Sequence, residues 1–215
     1  MAETVKPKAK AKPKVTINQT LEFHSPDTPL KFEKEEIKIY SWRLKSMKLA
    51  MNESTLVNFI NDYEPDVACI SCIKSDEISQ KAYDVESKIP KEYSSFYYFF
   101  KPPKKSKFGT AVYTKVKPIN VTYGFESEVL NEEGRLITCE FPKFFLVNCF
   151  TPESGTSKEL DEEKIDIASL QTKKSPNKFQ FRTEQWDQEF RKHVKKLEEK
   201  DQPGVSVGAL NVIHS

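Results

Sequence analysis

The sequence predicts an α/β sandwich, and three observations carry that reading. Residues 37–74 run strand, helix, strand. Residues 93–150 supply a succession of apolar segments divided by turn signals. One amphipathic helix and a final strand close the chain. A strand–helix–strand unit followed by several consecutive strands departs from the strict alternation of a purely parallel sheet, and a layered sandwich accommodates it.

In chain order, residues 1–36 are low in complexity, rich in Lys, Pro and Ala and then in Pro and Glu. Without apolar periodicity they are expected to be disordered, because nothing offsets their chain entropy. Lys6, Lys8, Lys10, Lys12 and Lys14 give the first fourteen residues a net charge of +4; the rest carries 29 basic against 31 acidic residues, a net −2. The tail is therefore the expected nucleic-acid contact, by phosphate neutralisation, and its KPKAKAKPK run also has the composition of a nuclear-import signal. An intracellular protein, nuclear rather than cytoplasmic, is the expectation.

From Ile37 to Lys74 the pattern changes. Ile37, Ile39, Tyr40 and Trp42 read as a strand, a polar linker follows, and Leu56, Val57, Phe59 and Ile60 then recur at helical spacing. Pro65 and Asp66 break the helix. Val67-Ala68-Cys69-Ile70 is a near-continuous apolar run that suits a parallel strand covered on both faces. Ligands of open α/β sheets gather at the carboxyl ends of such strands, here Ser41 to Lys45 and Ser71 to Lys74.

Residues 75–91 are polar, part helix and part loop. Tyr93 to Phe100 is aromatic, and a buried strand accounts for it better than a base-stacking surface, since an exposed run of this kind invites aggregation. KPPKKSK (101–107) is a basic loop whose Lys104, Lys105 and Lys107 are further candidate phosphate contacts. TAVYTK, the stretch 120–125, RLITCEF and FFLVNCF then read as adjacent strands in a meander, with a turn signal at Asn131 to Gly134. A charged insertion covers about 156–178. Trp186, Phe190, Val194 and Leu197 share one face of a helix over 181–197, on which His193 is expected to be a surface residue. VSVGALNVIHS closes the chain as strand and turn.

At 215 residues the chain holds one ordinary domain, and its 12% aromatic content favours a folded core despite a mean hydropathy of −0.63. Cys69, Cys72, Cys139 and Cys149 each sit in an apolar run and are expected to be buried, reduced thiols. Cys69 and Cys72 have C-x-x-C spacing, but three residues apart on a strand they face opposite sides, a poor arrangement for one metal. No apolar run is long enough to span a membrane, and no signal peptide is expected.

SWRLKS (41–46) and ISCIK (70–74), in this order, resemble the S-W-N-x-D-G and L-Q-E-T-K motifs of exonuclease III-type apurinic/apyrimidinic (AP) endonucleases, in the endonuclease/exonuclease/phosphatase superfamily. EGRLITCEF (133–141), FFLVNCFTPES (144–154), FRTEQWDQEFRKHV (181–194) and VGALNVIH (207–214) resemble the family's E-G-R strand, its Y-x-P-N strand, its Y-R-x-x-W-D-x-x-F-R-K helix and its G-D-x-N-x-x-H stretch. The resemblance is collinear from about residue 37 onward. It implies a four-layer α/β sandwich, of which this chain would hold the amino-terminal portion. The second sheet would then be largely missing and an apolar face of the first uncovered, so that either the chain is a fragment of a longer product or a partner protein covers that face.

What the resemblance implies for chemistry is magnesium-dependent phosphodiester hydrolysis. Carried over position by position, that site is nearly erased. Arg43 stands for the S-W-N asparagine and Lys45 for the aspartate two residues on. Cys72 replaces the metal-binding glutamate, and Phe150 and Glu153 replace the tyrosine and asparagine of Y-x-P-N. Ala209 replaces the catalytic aspartate of G-D-x-N, and Asn211 is retained. Neither cysteine nor alanine is a magnesium ligand, and two cations would attract phosphate rather than metal. No functional metal site or cofactor is expected. The leading reading is an AP-endonuclease-like protein that has lost hydrolysis and acts by binding nucleic acid or a partner. The alternatives are a divergent active phosphodiesterase and a structural or regulatory subunit.

Overall fold

The computed structural model describes residues 19–25, 27–73, 87–100, 109–131, 133–155 and 178–212. Lys6 to Lys14, Lys104, Lys105 and Lys107, Lys74, His214 and nearly all of the charged insertion lie outside these residues. Among the described residues nine strands form two sheets. The first has five strands in the order β1-β4-β5-β3-β2, comprising β1 (Gln19–His24), β2 (Ile39–Arg43), β3 (Val67–Ser71), β4 (Ser95–Phe100) and β5 (Gly109–Thr114). The second runs β6-β7-β8-β9, comprising β6 (Asn120–Tyr123), β7 (Leu136–Phe141), β8 (Phe144–Phe150) and β9 (Gly204–Ala209).

The strand–helix–strand unit forms as its pattern requires. β2 and β3 pair in parallel from Ile39↔Val67 to Arg43↔Ser71. The connection holds two helices, α1 (Met47–Asn52) and α2 (Thr55–Tyr63), where the sequence reading had a polar linker before one helix. Ser46 caps α1 by accepting from the Leu49 N–H, and Met47, Ala50 and Met51 are buried. In α2, Leu56 and Ile60 face the sheet. The helix ends at Glu64 in the left-handed region, with Pro65 behind it. All five β3 residues are buried, and the strand pairs in parallel with β2 and antiparallel with β5.

Three apolar layers divide the molecule into helix, sheet, sheet and helix. The outer face of the first sheet (Ala68, Ile70, Tyr98, Ala111, Tyr113) packs on α1 and α2. Between the sheets lie Val67, Cys69, Tyr97, Phe99, Val112, Ile137, Cys139, Phe141 and Leu146. On the far side, Phe145, Val147 and Cys149 meet Trp186 and Leu197 of the carboxy-terminal helix. Each large side chain so buried is worth about 1.5–3 kcal/mol. One polar group bridges the middle layer: the fully buried Asn148 donates from Nδ2 to Ile70 O (3.2 Å) and Ala111 O (2.9 Å), tying β8 to β3 and β5.

Three expectations are corrected here. The first sheet's inner face is not bare, because the second sheet has four strands that cover it. The described part of residues 1–36 is not the disordered tail expected: β1 pairs antiparallel with β4 from Gln19↔Phe100 to His24↔Ser95, and Phe32 stacks on Phe144 and lies tilted against Phe141. The alternation Thr20, Leu21, Glu22, Phe23 is a strand pattern, hidden in the sequence by its Lys/Pro-rich surroundings. The third concerns the meander, whose strands divide between sheets. β5 belongs to the first, and β6, β7 and β8 form the antiparallel meander of the second, to which β9 adds in parallel beside β8.

The carboxy-terminal helix is composite. Lys178–Gln180 is α-helical, Phe181–Trp186 is π-helical, and α3 (Asp187–Glu198) completes it. His193 is not a surface residue as expected. It is half-buried beside the Phe125 ring, with Nε2 2.9 Å from Thr138 Oγ1. Burial lowers its pKa below the ordinary 6.5, against the opposing pull of Glu126.

Candidate functional site

Four strand ends converge on one end of the sandwich. β2 and β3 run in parallel in the first sheet, β8 and β9 in the second, and β2 packs against β9. Their carboxyl ends therefore bring together Arg43, Cys72, Phe150 to Glu153, and Ala209 to Asn211. The geometry at this end is set by backbone. Leu44 N–H donates to Ser71 O (3.0 Å), Thr151 N–H to Ala209 O (3.0 Å), and Phe150 N–H to Arg135 O (2.8 Å). Cys72 and Asn211 both turn through the left-handed region, at φ 69° and 48°.

Gly208 is what lets β9 close on β8. Its φ is +135°, and a Cβ there would sit 1.8 Å from Cys149 O, so no other residue fits without moving a strand. Asn211 then reaches back, donating from Nδ2 to Thr151 O (2.5 Å).

Arg43 occupies the centre. Its guanidinium carbon lies 5.1 Å from the Phe150 ring centroid. Nη1 donates to Asn211 Oδ1 at 3.4 Å, and Nη2 is 3.6 Å from Glu153 Oε1. Of the seven positions singled out in the sequence, the structure thus joins Arg43, Phe150, Glu153 and Asn211 by direct contact. Lys45 is exposed just beyond β2, Cys72 is half-buried at the end of β3, and Ala209 ends β9. None of the four cysteines is in a disulfide. Cys69, Cys139 and Cys149 are buried as expected, whereas Cys72 is not fully so.

Two further arginines build the site, and the sequence reading quoted their motifs without assigning them a task. Arg135, from E-G-R, is buried; Nε donates to Glu133 Oε2 (2.6 Å) and Nη1 to Phe150 O (2.9 Å), and its guanidinium carbon is 5.0 Å from the Phe150 ring. Burial lowers its pKa; Glu133, and more weakly Glu153 and Cys72, act in the opposite direction. Arg182, from the F-R-x-x-x-W stretch, donates to Pro152 O (2.8 Å) and Asn211 O (3.5 Å) and pairs with Asp187 (2.6 Å). The signal was in the motifs: an arginine kept beside a turn is there to bond carbonyls that the turn leaves open.

The described residues at these strand ends do not fit a divalent cation. Magnesium takes oxygen ligands in near-octahedral geometry. Here Cys72 offers sulfur, Ala209 offers nothing, and the Glu153 carboxylate faces a guanidinium. Among the described residues no cluster of three or more His, Cys, Asp or Glu side chains could hold a metal. No helix among them is long and apolar enough to cross a membrane.

Comparison with known proteins agrees with this fold and topology. The chain is 28% identical over 202 residues to a DNA-(apurinic or apyrimidinic site) endonuclease of Dictyostelium discoideum, covering 94% of this chain and 49% of that protein. It is 29% identical over 178 residues to the DNA repair nuclease APEX1 of Danio rerio, covering 83% and 50%. Among solved structures, an AP endonuclease from Archaeoglobus fulgidus superimposes with a TM-score of 0.59 at 17% identity, covering 84% of this chain and 62% of that one. No family model matches the chain. It spans about half the length of these two curated relatives. In sequence along most of its length the chain is similar to these AP endonucleases, and in fold it is similar to an AP endonuclease of known structure.

Proposed function

We propose that this chain is an AP-endonuclease-like protein that no longer hydrolyses phosphodiesters and acts by holding nucleic acid or a protein partner. One observation carries the reading. At the strand ends where the resemblance places metal ligands and the water-activating pair, Arg43 lies over Phe150 and contacts Asn211 and Glu153. A cation at the centre of the site disfavours a second cation, and the catalytic aspartate of the G-D-x-N stretch is replaced by Ala209 although Asn211 is kept. The names of the relatives, which are repair nucleases, support nucleic acid as the ligand class. The five lysines between Lys6 and Lys14 supply a sequence-independent attraction and a nuclear address.

The test is incision of an abasic-site duplex by the purified chain with magnesium or manganese. No cleavage above the metal-only rate is expected. Turnover that depends on metal and on this chain would overturn the proposal.

A further inference from the structure

The same strand ends carry a second consequence, which rests on the loss of the metal site. We infer that this end of the sandwich has become a phosphate-binding site built on Arg43, with the Glu153 carboxylate as an internal stand-in that phosphate displaces.

The three guanidinium groups at this end are not equivalent. Arg135 and Arg182 are largely buried, and each has a carboxylate at 2.6 Å and a carbonyl at 2.8–2.9 Å. Their charges are neutralised by Glu133 and Asp187, and their task is to hold Phe150, Pro152 and Asn211 in place. Arg43 is different. Its side chain is 47% exposed, and its two polar contacts among the described residues, at 3.4 and 3.6 Å, are at or beyond the limit of a hydrogen bond. It is nevertheless pre-oriented, because its guanidinium lies over a Phe150 ring that is itself buried and anchored through its carbonyl to Arg135. A positioned guanidinium with unsaturated N–H groups is the preferred partner of a phosphate, which it meets with two parallel hydrogen bonds.

Charge points the same way. With Glu133 and Asp187 committed to their arginines, Arg43 has one further carboxylate within reach among the described residues, Glu153, and the exposed Lys45 follows two residues along the chain. The Glu153 side chain is 66% exposed, so it can turn out to water when an anion arrives. The ligand is therefore a phosphate group, whether a terminal phosphomonoester of a nucleic-acid strand or a phosphodiester within it.

The experiment is a calorimetric titration of the whole chain with sodium phosphate, against sodium chloride at matched ionic strength. A saturable site for phosphate and none for chloride is expected. Arg43→Gln should weaken phosphate binding about tenfold or more, as loss of a charge-assisted pair does, and Lys45→Gln by a smaller factor. Glu153→Gln should tighten it, because the competing carboxylate is gone. Were Glu153 a metal ligand, that variant would abolish magnesium binding and leave phosphate no tighter. All three side chains are substantially exposed, and circular dichroism of each variant confirms folding. No saturable phosphate site in the wild-type chain, an unaffected Arg43→Gln variant, or weaker binding by Glu153→Gln would each overturn the inference.

Oligonucleotides then separate the two sources at high salt, where the tail contributes little. Affinity that requires a 5′-phosphate and is lost in Arg43→Gln places a strand terminus in the pocket. Arg43-dependent affinity indifferent to that phosphate places the backbone there. Incision of abasic DNA in the earlier assay would refute the loss of hydrolysis independently of this titration.

Discussion

Gly208→Ala is the most direct test of how the strand ends are assembled. An alanine at φ +135° occupies a region essentially reserved for glycine, at a cost of about 1–3 kcal/mol. Its Cβ would also lie 1.8 Å from Cys149 O and within 3 Å of two more backbone atoms of the same residue. Backbone cannot rotate away as a side chain can, so β9 must lift from β8, adding about 1–3 kcal/mol in the manner of an overpacked core. The sum, roughly 2–6 kcal/mol, is a large part of the 5–15 kcal/mol that typically holds a domain together. Urea denaturation followed by fluorescence reads it, since Trp186 is buried against Phe125 at 4.8 Å. With a slope of about 1–3 kcal/mol per molar, the midpoint should fall by about 1 M or more. Gly204→Ala is the internal control: it lies on the same strand, a Cβ there meets nothing within 4 Å, and its midpoint should stay put. Equal midpoints for the two variants would refute the claim that close β8–β9 packing requires glycine at 208.

Three other outcomes are expected. Because His193 is half-buried and its pKa lies below 6.5 in the folded chain, the unfolded chain binds the extra proton first; stability should be full above pH 6.5 and decline as pH falls through the lower folded value, a decline that His193→Gln should flatten in pH-dependent melts. Restoring two carboxylates with Cys72→Glu and Ala209→Asp should not restore incision of abasic DNA, because Arg43, Lys45 and Phe150 remain and catalytic groups act as a unit. Removing residues 1–14 while keeping β1 should lower duplex affinity at low salt and reduce the log–log salt slope by up to about 4–5, that is, about 0.9 for each phosphate neutralised; an unchanged slope would place the contact on the folded part.

The sequence was most legible where burial and periodicity agreed. The runs VACIS, LITCEF and FFLVNCF, and SFYYFF over Ser95 to Phe99, are buried on both faces or nearly so, and each became a strand within two residues of its expected bounds. Trp186 and Leu197 went to the core from the helical face assigned to them. Failures came where a short pattern lay inside a misleading composition. β1 sits behind a lysine tail, and α1 is a six-residue helix whose Met47, Ala50 and Met51 were read as linker. His193 looked exposed because its neighbours on α3 are charged, while its partner Thr138 comes from a strand 55 residues earlier. The site was legible as a list of replaced positions but not as an arrangement. That Arg43 would lie over Phe150, and that Arg135 would fix the same ring, depends on the pairing of two sheets, which no local pattern encodes.

The π-helical turn at Phe181–Trp186 gives the pocket an unexpected dependence on counting. Residues five apart on an α-helix are separated by about 140° around the axis and do not meet. In a π turn they are neighbours, as the Arg182–Asp187 ion pair and the Asp187 N–H to Arg182 O hydrogen bond record. Losing a single residue from this turn would convert it to ordinary α-helix. Either Arg182 or the Trp186 face would then swing away, although no residue touching the pocket had changed. The shape of the strand-end loops is therefore under the control of helix length at a distance, and a one-residue deletion there is a larger alteration to the site than most substitutions within it.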